Sequence, residues 1–306
     1  MADRYPIPSL NKPTTAFTPS WRSSTDFYVG RTNHLPTWKT LSRLRQIQVN
    51  RGASSEIEVS KIMTKAVLLR VGIDSGCGGI QGPLFSDGSF EFICIPDKKR
   101  VSEHTYGNCI GQNGLPYSEY FAESKRDKIA TQHIHLDPEF TTYTYGDPTS
   151  PKRSLRALQE GDFLIFYCGL QEWNQQTGWQ TNQTPALYIV GYFVVETAGM
   201  ATDFFKSDLK SQFGENFHVR YPSVFEVQQE ELVLVKGGLG SRLLSKAYKI
   251  SALGKDRQGK PLKILSPEMQ EIFGDFGGKV SIQRSPPRWI DDSFVDKAIS
   301  FVSTLR

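Results

Sequence analysis

Two long apolar stretches place the strongest constraint on how this chain can fold. They are GDFLIFYCGL at residues 161–170 and ALYIVGYFVVE at residues 186–196, with a polar loop between them. Both are rich in β-branched and aromatic residues, which are enriched in strands. Apolar runs of this length are typical of strands that are buried on both faces. We therefore expect these two strands to lie at the centre of a β-sheet.

The segments on either side alternate between strand and helix patterns, which predicts an α+β fold. A central mixed, largely antiparallel β-sheet is expected, with helices flanking it. The further predicted strands are KAVLLRV (65–71), SFEFICIP (89–96), TQHIHLD (131–137) and ELVLVKGG (231–238). The predicted helices are PYSEYFAESKR (116–126), SPKRSLRALQE (150–160), ATDFFKSDLKSQF (201–213), SRLLSKAYKI (241–250), SPEMQEIF (266–273) and DSFVDKAISFVSTL (292–305).

The N-terminal part differs in composition from the rest of the chain. Residues 1–25 are rich in Pro, Ser and Thr and contain too little apolar material for a core, so an arm over the surface is expected. The segment LPTWKTLSRLRQIQVNR (35–51) has apolar residues at helical spacing among basic ones. We therefore divide the chain into an N-terminal arm with a basic helix, residues 1–64, and a single α+β domain, residues 65–306.

Basic residues are concentrated in two blocks. Residues 27–55 contain five Lys or Arg and no acid, and residues 236–263 contain eight against Asp256 alone. Such blocks suit a polyanion, because each cation that meets a phosphate releases counterions. The alternative is a pair of solvated faces. The predicted contacts to a DNA backbone are Arg31, Arg43, Arg45, Arg242 and Lys246.

Several locations and chemistries are disfavoured by what the sequence does not contain. No run of about 18 apolar residues and no signal-peptide pattern is present, so we expect a cytoplasmic protein without a membrane partner. The four cysteines form no C-x-x-C pair, which argues against a zinc ribbon or a thioredoxin-like motif. The segment GKDRQGKP (254–261) resembles a P-loop but ends in Pro261, where a magnesium-binding Ser or Thr is needed. No obligate protein partner is evident.

Asp74 lies in a glycine-rich turn, residues 72–79, directly after a predicted strand. Gly76, Gly78 and Gly79 leave the backbone open to a ligand, and Arg70 and Ser75 lie close in sequence. A carboxylate at the end of a strand can act as a general base or stabilise a cationic transition state. The alternative is that Asp74 caps the turn by accepting backbone N–H groups.

The segment HIHLD places His133, His135 and Asp137 on one face if it forms a strand. Metallohydrolases with an H-x-H-x-D-H pattern use this spacing, but Pro138 occupies the position of the last His. Three interpretations remain open: a metal site, a structural polar face and the wall of a metal-free active site. No cofactor and no metal are predicted for the chain.

The chain resembles the third group of the nucleotide-modification-associated domain families. The resemblance is carried by LLRVGIDSGCGGIQGPLFSDGSFEFICIPD (68–97), HLDP (135–138), EGDFLIFYCGL (160–170) and GSRLLSKA (240–247). Arg70, Gly72, Asp74 and Ser75 match the family's strand opening, whereas its Lys is replaced by Val71. The chain also resembles bacterial anti-phage DNA glycosylases that excise glucosylated hydroxymethylcytosine. The central strand pair is similar to that of PUA-like barrels, which hold flipped modified bases, so a partial barrel of that kind is a further expectation.

These resemblances imply excision of a bulky modified base from double-stranded DNA, leaving an abasic site, as an anti-phage activity. The first choice for the catalytic carboxylate is Asp74 and the second is Asp137, with His135 as proton donor to the base. Substrate contacts are expected at Arg70, Ser75, Gly78, Gly79, Tyr106, Trp173 and Trp179. Two alternatives remain open: a transferase that modifies nucleotides or bases, and a non-catalytic reader of modified bases.

Overall fold

A computed structural model of the chain describes residues 63–283 and 286–306. The predicted arm, the basic helix, Arg31, Arg43 and Arg45 lie outside these residues. The strands are β1 (Ala66–Arg70), β2 (Gly82–Leu84), β3 (Thr144–Asp147), β4 (Phe163–Asn174), β5 (Gly178–Trp179), β6 (Ala186–Met200), β7 (Val233–Gly237), β8 (Arg242–Lys249), β9 (Ser251–Lys255), β10 (Pro261–Leu265) and β11 (Arg288–Trp289). The α-helices are Arg126–Ala130, Lys206–Phe213, Phe217–Arg220, Pro222–Gln228, Pro267–Phe273 and Asp292–Thr304. The 3₁₀ helices are Tyr117–Tyr120, Glu123–Lys125, Ser150–Ala157 and Ala201–Asp203.

One large sheet contains nine of these strands. Its main path runs β11-β1-β4-β6-β7-β3, while β2 and β5 also pair with β4, and β8 pairs with β6. β1 and β2 run parallel to β4, and the other pairings in the sheet are antiparallel. β9 and β10 form a separate two-stranded hairpin. The prediction of a mixed, largely antiparallel sheet with flanking helices is confirmed, and the described residues form no closed barrel.

The predicted central strand pair lies in the middle of the hydrophobic core. β4 and β6 pair from Phe163 opposite Val194 to Leu170 opposite Ala186. The first eight residues of β4 are all buried: β1 and β6 pair with its two edges, and loop side chains such as Phe140 pack against it. At about 25 cal/mol for each Å² of apolar surface, burial of this strand pair is a principal source of stability.

Two segments that were predicted to form strands make only isolated β-bridges. In the segment 89–96, Ile93 and Ile95 accept hydrogen bonds from the backbone of Ile73 and His135, but no regular ladder forms. Pro96 has no N–H to donate, which limits the pairing. The segment 131–137 likewise makes bridges only at His133 and Ile134, and its predicted alternation as a strand is therefore wrong.

The prediction of a helix at residues 241–250 is also wrong, because this segment forms β8. Against β6, Leu243 lies opposite Gly191 and Tyr248 lies opposite Ile189, so five steps along β8 match two along β6. The extra residues of β8 form an irregular bulge that breaks the two-residue period of a strand. Its apolar residues therefore recur at a spacing that resembles a helix.

Three other segments that were predicted as single helices form 3₁₀ turns or short α-helices instead. Residues 116–126 form two 3₁₀ turns before the helix Arg126–Ala130, and residues 150–157 are 3₁₀ throughout. Residues 201–213 break between Ala201–Asp203 and Lys206–Phe213. The predicted helices at 266–273 and 292–305 are present. None of the described helices has both the length and the apolar character needed to cross a bilayer.

Candidate functional site

The carboxylate of Asp74 holds the glycine turn together. Its Oδ1 accepts the backbone N–H of Gly76 at 2.7 Å and of Cys77 at 2.8 Å, and its Oδ2 accepts Arg70 Nη2 at 2.9 Å. The backbone carbonyl of Asp74 also accepts the N–H of Cys77 and Gly79. These contacts match the alternative in which Asp74 caps the turn, and one of them engages Nη2 of Arg70.

The backbone amides of Asp74, Gly76, Cys77 and Gly79 are therefore used inside this turn. Gly78 is close to Ile73, because a Cβ at residue 78 would lie 2.3 Å from the Ile73 side chain, and its φ of +107° also favours glycine. Gly79 has a φ of +91° and open space where a Cβ would be. Ser75 and Gly79 are exposed.

A second group of polar side chains, which we call the histidine–aspartate centre, comprises His135, Asp137 and His218. The two Nε2 atoms of the histidines are 3.1 Å apart. Asp137 Oδ2 lies 3.5 Å from His218 Nε2 and 3.9 Å from His135 Nε2. The side chains of Asp137 and His218 are each 3% exposed, and that of His135 is 20% exposed. Of the three side chains, that of His135 is therefore the one that is partly open to solvent.

Separate parts of the fold position these three residues. The backbone N–H of His135 donates to Ile95, and the N–H of Gly146 on β3 donates to the carboxylate of Asp137. His218 lies in the helix Phe217–Arg220, whose N-cap is Asn216, and its backbone N–H donates to the Asn216 side chain. Gly146 is glycine for a steric reason, since a Cβ there would meet Asn216 Oδ1 at 2.8 Å and His218 Cδ2 at 3.0 Å.

The side chain of His218 is held on both of its nitrogen atoms. Its Nδ1 lies 2.7 Å from Gln228 Oε1, while its Nε2 faces the rest of the centre. Burial lowers the pKa of His218, but the hydrogen bond to Asp137, the charge of Asp137 and the contact with Gln228 raise it, and the net shift is upward. The centre therefore favours positive charge next to the Asp137 carboxylate.

The neighbouring aromatic ring of Phe217 covers His135. The two rings are stacked, with centroids 3.9 Å apart and an interplanar angle of 22°. His133, the other histidine of the segment, is directed elsewhere, because its Nδ1 is bonded to the carbonyl of Ser102. The predicted trio of His133, His135 and Asp137 is thus divided by the structure. The third residue of the centre is His218, which lies 81 residues after Asp137 and carries no local motif.

The predicted stacking aromatics occupy different environments. Tyr106 is completely buried, its hydroxyl donates to the carbonyl of Cys94, and no face of its ring is open to a base, so we assign it to the core. Trp173 and Trp179 are half-buried and lie opposite each other on β4 and β5. Trp179 Nε1 donates to the carbonyl of Tyr120. The two tryptophans therefore belong to one aromatic cluster at the edge of the sheet.

The predicted DNA-backbone residues that the structure describes are exposed. Arg242 lies over the ring of Tyr192 at 5.7 Å, and Lys246 lies beside the turn at Gly88. Another group of cations, which was not predicted from the sequence, lines a surface pocket of about 370 Å³: Lys98, Arg100 and Lys128. His133 also lines this pocket, two residues before His135. We call it the basic pocket, and its signal in the sequence is the run KKR at residues 98–100.

The cysteines are poorly suited to act as nucleophiles. Burial raises the pKa of Cys77, and the charge of Asp74 raises it further. Burial also raises the pKa of Cys109 to about 11 and that of Cys168 to about 12. A thiol of this kind holds very little thiolate at neutral pH. The chemistry of the site is therefore expected from the histidine–aspartate centre.

A comparison with family models identifies a family that covers most of the chain. The model described as nucleotide modification associated domain 3 matches residues 65–304. The matched region includes the glycine turn, the histidine–aspartate centre and the basic pocket. No curated protein and no solved structure matches the chain.

Proposed function

The chain belongs to the nucleotide modification associated domain 3 family, and from this premise we propose that it is a DNA glycosylase that excises a bulky modified base. The coarser conclusion, a role in nucleotide modification, follows from family membership. The excision reaction is our proposal, and the histidine–aspartate centre is the observation that carries it. A buried carboxylate next to two imidazoles is suited to activating water.

The proposed reaction is the hydrolysis of the N-glycosidic bond. Water loses a proton to the centre, and its oxygen forms a bond with C1′ of the deoxyribose. The bond between C1′ and the base nitrogen breaks, its electron pair leaves with the base, and the base takes up a proton. The negative charge of Asp137 stabilises the positive charge that develops on the sugar in the transition state. One water is consumed, and an abasic site and a free base are produced.

The centre now takes precedence over Asp74 as the proposed catalytic group. The Asp74 carboxylate is engaged by two backbone amides and by Arg70, whereas Asp137 receives one backbone N–H, from Gly146, and faces two imidazoles. His135 is also reassigned. Its Nε2 faces His218 rather than an open space, so we place it in the centre and not at the departing base.

The charge distribution supports a nucleic acid as the substrate. Lys98, Arg100 and Lys128 of the basic pocket are exposed, as are Arg242 and Lys246 on β8. Exposed cations bind phosphates and release counterions. The target nucleotide must leave the base stack to reach a buried centre, at a cost of a few kcal/mol. We propose that these cations hold the DNA backbone on either side of the extruded nucleotide.

The proposed substrate is double-stranded DNA that carries glucosylated hydroxymethylcytosine, and the proposed role is defence against phages with such DNA. This part rests on the resemblance of motifs such as HLDP, which contains two residues of the centre. The half-buried Trp173 and Trp179 are proposed to contact the base or its sugar, because aromatic faces stack on bases and sugars alike.

The experiment compares matched duplexes with unmodified cytosine, hydroxymethylcytosine and glucosylated hydroxymethylcytosine. Alkali-labile abasic sites and the released base are measured for the full chain and for Asp137→Asn. We expect abasic sites on the glucosylated duplex and a loss of about 100-fold or more in Asp137→Asn. The matched control is Asp296→Asn, an exposed carboxylate on the C-terminal helix, which should keep the normal rate.

Other results would identify the alternatives. Tight binding of glucosylated DNA without release of base would point to a reader of modified bases. Transfer of a group to DNA from an added donor, without abasic sites, would point to a transferase. Equal activity of Asp137→Asn and the unchanged protein would remove the histidine–aspartate centre from the reaction.

A further inference from the structure

We propose that His135, Asp137 and His218 bind one divalent metal ion of the zinc class. No metal was predicted from the sequence, since Pro138 occupies the position of the last histidine of the H-x-H-x-D-H pattern, although a metal site was one of the three interpretations left open for HIHLD. The structure supplies His218 in its place. The role of the ion in catalysis rests on the proposed function, but its binding rests on the geometry of the centre alone.

The distances among the three ligand atoms match the size of a metal site. The Nε2 atoms of His135 and His218 and Oδ2 of Asp137 form a triangle with sides of 3.1, 3.5 and 3.9 Å. The circle through such a triangle has a radius of about 2.0 Å, which is the length of a bond from zinc to nitrogen or oxygen. An ion at that point is within bonding distance of all three atoms without movement of any side chain.

The arrangement of protons also favours a cation. The Gln228 oxygen accepts from His218 Nδ1, which assigns the proton of the neutral ring to Nδ1 and leaves a lone pair on Nε2. That lone pair faces His135 Nε2 and a carboxylate oxygen, and only one proton can lie between the two nitrogens. A metal ion accepts all three lone pairs at once. It also pairs with the charge of Asp137, whose side chain is 3% exposed.

Each ligand is oriented by a further contact, as in known metal sites. Gln228 fixes the ring of His218, the N–H of Gly146 fixes the carboxylate of Asp137, and Phe217 stacks on the ring of His135. Hydrogen bonds such as those of Gln228 and Gly146 set the tautomer and orientation of metal ligands, and their loss weakens binding by about 10–100-fold. Among the described residues, these three side chains are the group of His, Cys, Asp and Glu that can hold a metal ion.

Three protein ligands leave a coordination position for water. Two histidines and a carboxylate with an open position are typical of catalytic zinc sites, where the pKa of the bound water falls to about 7. An ion held here would supply such a water to the hydrolysis proposed above, and the three side chains would then be its ligands, so the water proton would pass to bulk solvent instead of to the centre. As the water oxygen bonds to C1′, the bond from C1′ to the base nitrogen would break, its electron pair would leave with the base, and the base would take up a proton. The partial exposure of His135 marks the side from which the nucleotide approaches.

The test measures metal binding separately from DNA cleavage. The full chain is purified, treated with EDTA and desalted, and its zinc content is measured after zinc is restored. Cobalt(II) is then titrated, with visible absorption as the signal. We expect one ion per chain and a cobalt spectrum of low coordination number. His135→Gln should abolish the signal, and Gln228→Leu should weaken cobalt binding by about tenfold.

His133→Gln is the matched control, because it lies on the same segment and its ring points away from the centre. It should bind cobalt like the unchanged protein, and circular dichroism confirms that each variant is folded. Binding of no metal by the folded protein, or equal loss in His133→Gln and His135→Gln, would overturn the proposal. If zinc binds but abasic sites never form, the metal site stands and the glycosylase proposal fails. If abasic sites form equally with and without EDTA and no metal binds, the glycosylase proposal stands and the metal site fails.

Discussion

Replacing Asp74 tests whether its carboxylate holds the glycine turn or performs chemistry. In Asp74→Ala, the N–H groups of Gly76 and Cys77 lose their acceptor, and Arg70 loses its ion-pair partner. Each hydrogen bond contributes about 1–1.5 kcal/mol, and a partly exposed ion pair contributes about 0.5 kcal/mol. Water can replace part of the contact at the exposed Gly76. We therefore expect Asp74→Ala to lose about 2–3 kcal/mol of unfolding free energy.

Asp74→Asn separates the hydrogen bonds from the charge. The asparagine oxygen can still accept from both amides, so only the ion pair and the stronger charged hydrogen bonds are lost, at a cost of about 1 kcal/mol. The unfolding free energies come from urea titrations followed by tryptophan fluorescence and extrapolated to zero urea. Ser75→Ala, an exposed change in the same turn, is the control and should stay within about 0.5 kcal/mol.

The same two variants are then assayed for abasic sites at a temperature where both are folded. We expect Asp74→Asn to retain most of the excision activity, because the carboxylate is engaged within the turn and we propose the histidine–aspartate centre as the catalytic group. The reasoning is refuted if Asp74→Asn is as stable as the unchanged protein but excises no base. Asp74 would then be the catalytic carboxylate that the sequence first indicated.

Three further predictions concern other parts of the molecule. In Gly146→Ala the new Cβ lies 3.0 Å from His218 Cδ2, so the ring should shift, and cobalt binding and excision should fall together while circular dichroism stays unchanged. Lys98→Ala, in the basic pocket, should weaken DNA binding for all sequences and reduce the slope of log affinity against log salt by about 1. The control is Lys297→Ala, which removes an exposed cation on the C-terminal helix and should leave the slope unchanged. Burial raises the pKa of Cys109 to about 11, so only about one Cys109 thiol in a thousand is a thiolate at pH 8. N-ethylmaleimide at that pH should therefore label Cys109 slowly and leave excision intact. Rapid loss of activity would indicate a catalytic cysteine.

The central strands and the C-terminal helix could be predicted because their sequence patterns are local. β4 and β6 are apolar over their paired length and are bounded by turn residues, so their burial follows from composition. The C-terminal helix Asp292–Thr304 has its N-cap at Asp291 and an apolar stripe at helical spacing, and both can be read from the sequence.

β8 could not be predicted because its pattern depends on its partner. The bulge opposite Gly191 adds residues to β8, and its apolar side chains then recur at helical spacing. Only the pairing with β6 shows that the segment is a strand. The same limit applies to SFEFICIP, where alternation is present but Pro96 and the irregular contacts of Ile93 and Ile95 prevent a ladder.

The candidate site was predicted in part. HIHLD indicated His135 and Asp137, because two polar residues two positions apart can share a face. His218 could not be found from its surroundings, since ENFHVR contains no recognisable motif. Its place depends on tertiary contacts, namely the cap at Asn216, the close approach of Gly146 and the hydrogen bond to Gln228. For Asp74, the sequence showed the residue but not the three contacts that occupy its carboxylate.

The central claim is that the histidine–aspartate centre hydrolyses the N-glycosidic bond of a modified nucleotide. The most direct measurement is a single-turnover assay of base release from duplex DNA with glucosylated hydroxymethylcytosine, using the unchanged protein and Asp137→Asn, both saturated with substrate. We predict stoichiometric release of the modified base and an abasic site by the unchanged protein, and a rate about 100-fold or more lower for the variant. Intact DNA after complete binding by the unchanged protein, or equal rates for the two proteins, would contradict the claim.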